Sequence, residues 1–205
     1  MTLCFYAKYH PEGIKSTFLC RYNQPDVWQE LCNGLSIGPG WVKGFVSLYS
    51  YHRSNKKNIE RFCEECKDLW ESQLKSIVVP KMEMLFGCKI DDTIRCYVGL
   101  YPTYLRNIRR RYFLLPYGEN NNRIREILIH ELSHFYCYAA CGDRLENDKL
   151  WRLSERIVPF ILKYHFNTGY IGQSYVGEES KLDHSLFYSW ASGKITFEKL
   201  VLSVK

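Results

Sequence analysis

Apolar residues recur at helical spacing in three long stretches of the chain. The first stretch predicts a helix that is capped by Ser54, runs to about Val79 and is ended or kinked by Pro80. Residues 81–86 are expected to resume the helix as far as Gly87. The predicted buried stripe of this helix consists of Ile59, Phe62, Cys63, Cys66, Leu69, Trp70, Leu74 and Ile77.

The second and third helical patterns lie in the C-terminal half. One covers 123–141, where Asn122 can cap the first turn and Gly142 is placed to end the helix. The other covers about 148–164. We expect the first to be buried on more than one side and the second to pack against a core through an apolar stripe.

Two shorter stretches have the composition of β-strands. Residues 93–100 are rich in β-branched and aromatic side chains, and residues 112–115 form a second, short apolar run. The order of helix, two strands, helix and helix is that of an α+β fold rather than a repeating β-α alternation. Residues 1–50 give no clear pattern apart from a turn at 38–40.

The length and composition fit a single globular domain of 205 residues. Apolar residues make up 46% and charged residues 24%, which excludes a disordered or collagen-like chain. Within the domain we expect a mainly helical part at 1–92, the strands with two helices at 93–165, and a C-terminal segment at 166–205.

The cysteines and the absence of long apolar runs indicate the cellular compartment in which we expect the protein. Nine cysteines are an odd number without a dense framework, which indicates a reducing compartment. Cys63 and Cys66 form the only CxxC pair, and both fall on the predicted buried stripe, so we interpret them as core residues. No uncharged apolar run approaches the roughly 18 residues of a membrane helix, and no signal peptide is visible. We therefore expect a cytoplasmic monomer without a membrane partner.

The charge is mildly basic, at +6 from 28 basic and 22 acidic residues. Its densest cluster lies between Arg106 and Arg111, where Arg109 and Arg110 complete a group of four arginines. A solvated face is the simplest interpretation of this cluster, and binding to nucleic acid is the alternative.

One motif carries chemistry of its own: His130-Glu131-Leu132-Ser133-His134. On a helix the two histidines share a face, so both imidazoles can bind one metal ion. Glu131 stands beside them and can polarise a metal-bound water molecule. Apolar residues surround the motif, and buried polar groups are costly unless they are paired or metal-bound. Two core histidines satisfied by hydrogen bonds are the alternative interpretation.

A catalytic zinc site needs a third protein ligand and an open fourth position. Glu155 follows 21 residues after His134 and lies within an apolar stripe on the next helix, where a bound cation would neutralise its charge. We favour Glu155 as this ligand. Glu146, in a polar stretch before that helix, is the rival.

The two motifs together resemble the gluzincin metallopeptidases, and the small size resembles their minimal members, the minigluzincins. The resemblance implies a compact zincin-like fold, in which a small antiparallel or mixed sheet packs on the active-site helix, and zinc-dependent hydrolysis of a peptide or protein substrate. It implies one Zn²⁺ per chain held by His130, His134 and Glu155, with Glu131 as general base. It also implies that an edge strand before the active-site helix binds the extended substrate, a role that falls to Tyr112, Phe113, Leu114 and Leu115.

The chain departs from the family pattern at Pro159, where many gluzincins place an aspartate that orients the first histidine. Its substitute is expected to be Asp183 or Ser154. A donor to the oxyanion is also expected from the C-terminal part, with His184 favoured over Tyr170 and Tyr175.

The C-terminal segment carries a further hypothesis about regulation. Residues 167–205 are expected to limit access to the metal, with Asp183 or His184 in the open coordination position. The enzyme would then be latent in its free form.

Two alternative functions stay open at this level. Peptide deformylases share the His-Glu-x-x-His motif and take a cysteine preceded by glycine as third ligand, a role that Cys88 after Gly87 would fill. The chain could also be a catalytically silent or nucleic-acid-associated zinc-binding protein that uses Arg106–Arg111 on phosphates.

Overall fold

A computed structural model describes residues 1–7, 50–100, 105–142, 148–168 and 184–203. The chain divides into two compact units. We call residues 2–72 and 92–124 the sheet unit, and residues 73–91 and 125–205, together with Met1, the helical unit. The mixture of helices with a small mixed sheet confirms the α+β expectation.

The sheet unit contains four strands in the order β1-β2-β4-β3. Three adjacent strands run parallel, with β1 paired to β2 and β2 paired to β4, whereas β3 is antiparallel to β4. Alternate residues of β2 are buried on one face, as the period of a strand requires. The bounds of the strands are Thr2–Tyr6 for β1, Thr93–Gly99 for β2, Arg106–Asn107 for β3 and Tyr112–Pro116 for β4.

Both predicted strands are confirmed, but the expectation that 112–115 forms a sheet edge is wrong. β4 has β2 on one side, while on the other Arg106 and Asn107 of β3 pair with Phe113 and Tyr112. The main chain of Leu114 also donates to the carbonyl of Leu105 at 2.8 Å. The backbone of β4 on this side therefore already has partners in β3 and at Leu105. Whether the four side chains contact a substrate stays a prediction.

The first predicted helix is interrupted by a π-helical segment. Helix α1 spans Lys56–Leu69, the π-helical segment spans Trp70–Leu74, and α2 spans Lys75–Phe86. Within the sheet unit, α1 packs against β1 and β2 through its apolar stripe. Asn55 is the N-cap of α1 and the preceding Ser54 is itself helical, so the prediction of Ser54 as cap is wrong.

The end of this helical stretch agrees better with the prediction from the sequence. α2 continues through Pro80, so the expectation that the helix could end there is wrong, but it ends at Gly87 as predicted. Gly87 adopts the left-handed conformation with φ of +66° and donates its N–H to the carbonyl of Glu83 at 2.9 Å. Only glycine takes this conformation without strain, so it fixes where the helix stops.

The helical unit consists of α2 and of the helices that follow it along the chain. α3 spans Asn121–Cys141, of which residues from Arg125 onward belong to this unit, and α4 spans Asp148–Phe160. α3 begins one residue before Asn122, because the side chain of Asn120 accepts the N–H of Arg123 at 3.0 Å and so caps the helix. A π-helical turn, Ile161–His165, follows α4, and α5 and α6 span His184–Ala191 and Phe197–Ser203.

The two C-terminal helices pack on the helical unit through aromatic residues. Trp190 of α5 donates its indole N–H to the carbonyl of Leu85 at 2.9 Å. The ring of Phe197 of α6 lies 4.9 Å from that of Phe86, and Phe187 stacks on Phe160 at 5.0 Å. The described part of the C-terminal segment therefore contributes to the core. Among the helices in the described ranges, none combines the length and apolar character needed to cross a membrane.

Candidate metal centre

Helix α3 places the two histidines of the motif side by side. Their Nε2 atoms lie 3.1 Å apart, and the Nε2 atom of His134 lies 3.7 Å from Oε2 of Glu155 on α4. The ligand atoms of His130, His134 and Glu155 all lie within 4.8 Å of one another, and all three residues belong to the helical unit. The structure thus brings together the three residues that the sequence proposed as ligands.

The spacing of these atoms suits a zinc ion. Two ligands that each lie 2.0–2.1 Å from a tetrahedral zinc are about 3.3 Å apart. The separations of 3.1 and 3.7 Å bracket this value. Two imidazoles and one carboxylate are a donor set that can hold a metal ion, and they are the three ligands found among the described residues.

The hydrogen bonds of Ser154 fix the orientation of His134. The Ser154 hydroxyl donates to the carbonyl of Trp151 at 2.7 Å, which uses its single hydrogen. Its Oγ lies 3.0 Å from Nδ1 of His134 and can therefore only accept from that nitrogen. In the neutral ring the lone pair then lies on Nε2, which faces the carboxylate oxygen of Glu155. A metal ion or a proton between Nε2 and the carboxylate would satisfy both atoms, so the residues present are compatible with a bound metal ion.

Ser154 is one of the two substitutes expected for the missing aspartate. It orients the second histidine of the motif, however, and not the first. Asp183, the other substitute, lies outside the described residues. Pro159 stands within α4, where it has no N–H to offer to a neighbour.

We expect Ser154→Ala to lower zinc affinity by about ten- to a hundredfold, because a histidine without its hydrogen-bond partner is less well oriented. Competition with a chromogenic zinc chelator would measure this change. Ser133→Ala is a matched control, since that buried hydroxyl donates to the carbonyl of Ile129 in its own helix at 2.6 Å and lies 3.8 Å from the sulfur of Met82 on α2. Equal zinc affinities for the Ser154→Ala variant and the wild type would contradict the role of Ser154.

Burial divides the group into a deep side and an open side. The side chains of His134 and Glu131 are 0% and 1% exposed, whereas those of His130 and Glu155 are 24% and 19% exposed. Glu131 is not part of the ligand group, but its Oε1 atom lies 3.8 Å from Nε2 of His130. A carboxylate so placed can take a proton from a group bound beside the histidines.

The remaining sequence-predicted residues fall into two classes. The side chain of His184, and residues Glu146, Tyr170 and Tyr175, lie outside the described structure, so the donor to the oxyanion and the blocked-access hypothesis stay predictions. Cys88 is described, and its thiol lies 3.8 Å from the carbonyl of Tyr136 rather than in the ligand group. Burial raises the pKa of the Cys88 thiol, which disfavours the thiolate that a metal needs.

The structure supports the interpretation of Cys63 and Cys66, the CxxC pair on α1, as core residues. Burial raises the pKa of Cys63 to about 11 and that of Cys66 to about 12. Both side chains are buried on the apolar stripe of the helix. Thiols that stay protonated at neutral pH are poor metal ligands, so this pair does not form a second metal site.

The arginine cluster occupies a tight turn of the sheet unit between β3 and β4. The side chain of Asn107 accepts the N–H of Arg110 at 2.9 Å, and Arg111 is left-handed with φ of +52°. The guanidinium of Arg111 lies 2.7 Å from the carboxylate of Asp92. Arg95 donates to the carbonyl of Arg110, which holds a further positive charge against the turn.

No family model, curated protein or solved structure matches the chain. The geometry of the His130, His134 and Glu155 group, and of the residues around it, is therefore the basis for assigning a function.

Proposed function

We propose that the protein is a zinc-dependent peptidase of zincin-like fold and gluzincin type. The observation that carries the proposal is the group of two imidazoles and a carboxylate, within 4.8 Å of one another, beside the buried carboxylate of Glu131. Zinc, when bound, supplies a Lewis acid that polarises a carbonyl and lowers the pKa of a water molecule to about 7.

Each residue of the group then has a defined task. His130, His134 and Glu155 hold the ion, and Ser154 keeps the Nδ1 proton of His134 away from it. Glu131 accepts a proton from the attacking water and later returns it to the leaving amine. In this sequence the oxygen of water bonds to the peptide carbon and the C–N bond breaks, while both protons of water are accounted for in the products.

The alternative functions have less support from the same geometry. A deformylase-type site needs the Cys88 thiolate among the ligands, whereas the carboxylate of Glu155 takes that place. A silent zinc-binding protein has no need for a buried glutamate next to its ligands, because burying a carboxylate is costly.

The test is hydrolysis of a quenched-fluorescent peptide library by the zinc-loaded protein. We expect cleavage that stops with 1,10-phenanthroline and returns when zinc is added in excess of the chelator. Cleavage that survives the chelator would point to metal-independent chemistry. Zinc-loaded protein that cleaves nothing would favour the silent or latent alternatives.

A further inference from the structure

The metal centre is reached from the side on which His130 and Glu155 lie. His134 is fully buried, and the exposed parts of the group belong to His130 and Glu155. A peptide that approaches from solvent can therefore reach the group along the part of α4 that carries Glu155. The residues on that part of α4 are candidates for contact with the substrate.

Trp151 stands on this part of α4. It precedes Glu155 by four residues, and side chains four residues apart on a helix are neighbours about 5–6 Å apart at Cβ. Helical side chains lean towards the N-terminus, so the carboxylate of Glu155 extends over the turn that holds Trp151. The indole is 39% exposed, although the buried stripe of α4 contains Leu150, Leu153, Ile157 and Val158. A large apolar ring thus lies at the surface next to a polar cluster.

The main chain of Trp151 is also tied to the metal centre. Its carbonyl accepts the hydroxyl of Ser154, which in turn lies 3.0 Å from Nδ1 of His134. The same hydrogen bonds that orient a ligand histidine therefore hold the main chain from which the tryptophan side chain extends. A tryptophan side chain has only two torsions, so it can contact a bound molecule at low cost in conformational entropy.

We propose that Trp151 binds an apolar side chain of the substrate next to the bond that is cleaved. The inference rests on the proposed function, and it adds the substrate class, namely peptides with an aromatic or large aliphatic residue at that position. Contact between two apolar surfaces removes both from water, which supplies the preference.

Two hydroxamates test the inference without any need for turnover. Acetohydroxamate carries only the zinc-binding group, and 3-phenylpropanohydroxamate adds a phenyl ring on a short linker. We expect zinc-loaded wild type to bind the phenyl compound about tenfold or more tightly than acetohydroxamate, as burial of part of an aromatic ring would give. Isothermal titration calorimetry would measure both affinities.

Variants then assign this preference to one residue. In Trp151→Ala we expect the affinity ratio to fall to near one, with zinc content unchanged, while Trp151→Phe keeps most of the ratio. Tyr188→Ala, which removes an exposed aromatic of α5 outside the ligand group, should leave the ratio as in wild type.

The outcomes separate this inference from the function on which it rests. A wild type that carries zinc and binds acetohydroxamate, but whose ratio is near one or survives in Trp151→Ala, overturns the role of Trp151 alone. A wild type that binds neither zinc nor acetohydroxamate overturns the proposed function and the inference together.

Discussion

Purified protein is expected to carry close to one zinc ion per chain, and His134→Ala and Glu155→Ala are each expected to lose most of it. Three ligands hold the ion, and a catalytic site with only two protein ligands left has little affinity at neutral pH. His134 should show the larger loss, because it is fully buried and oriented by Ser154. Elemental analysis of metal-to-protein ratio would measure the occupancy.

His165→Ala is the matched control for this experiment. It removes a histidine of the helical unit that lies outside the ligand group, so zinc content should stay at the wild-type value. Full zinc occupancy in Glu155→Ala would mean that another residue is the third ligand, and Cys88 and Glu146 would be tested next.

Glu131→Gln is expected to keep zinc and fold but to lose hydrolysis by about two to four powers of ten in kcat/KM. The amide preserves the shape of the side chain and removes the base, while the ligand group does not include this residue. Steady-state kinetics on a peptide selected from the library, with zinc content measured on the same sample, would test both parts.

Glu126→Gln is the control for the loss of a buried carboxylate on the same helix, and it should retain activity. If Glu131→Gln cleaves the peptide at the wild-type rate, Glu131 is not the general base. Another group, on the side of the centre where His130 and Glu155 are exposed, would then have to accept the proton of the attacking water.

Local features of the fold could be predicted from the sequence, whereas features that depend on distant pairing could not. Gly87 and the strand at 93–99 follow from neighbouring residues alone. β1 pairs with a strand that lies about ninety residues later, so nothing within its own five residues identifies it. β3 has two residues, too few for any alternation to appear, and it is this strand that removes β4 from the edge.

The π-helical segment explains a further error in the predicted core. Trp70 and Leu74 are buried as predicted, but the next buried position is Val78 and not Ile77, because a π turn takes more residues than an α turn and shifts the positions that follow it. Ile77, which the α period places in the stripe, is exposed. The sequence holds no separate sign of this insertion.

The candidate site likewise combines features that a single helix determines with a feature that depends on how two helices pack. The spacing of His130 and His134 is a property of a single helix. The apolar residues around Glu155, which indicate it as a ligand, are likewise a pattern within one helix. The contact of Ser154 with His134 depends on how α4 is rotated against α3, which no single-helix pattern fixes. Its one signal in the sequence is its place directly before the ligand glutamate.

The burial of the CxxC pair has a consequence for the order of folding and metal loading. All seven cysteines that the structure describes are free thiols, and in the unfolded chain they are accessible ligands for zinc. Folding withdraws Cys63 and Cys66 from this competition, since their raised pKa keeps them protonated. Zinc bound to unfolded chains opposes the stabilisation that zinc gives to the folded state. Under the proposed function, the protein would therefore gain most from its metal when the ion arrives after the thiols are buried.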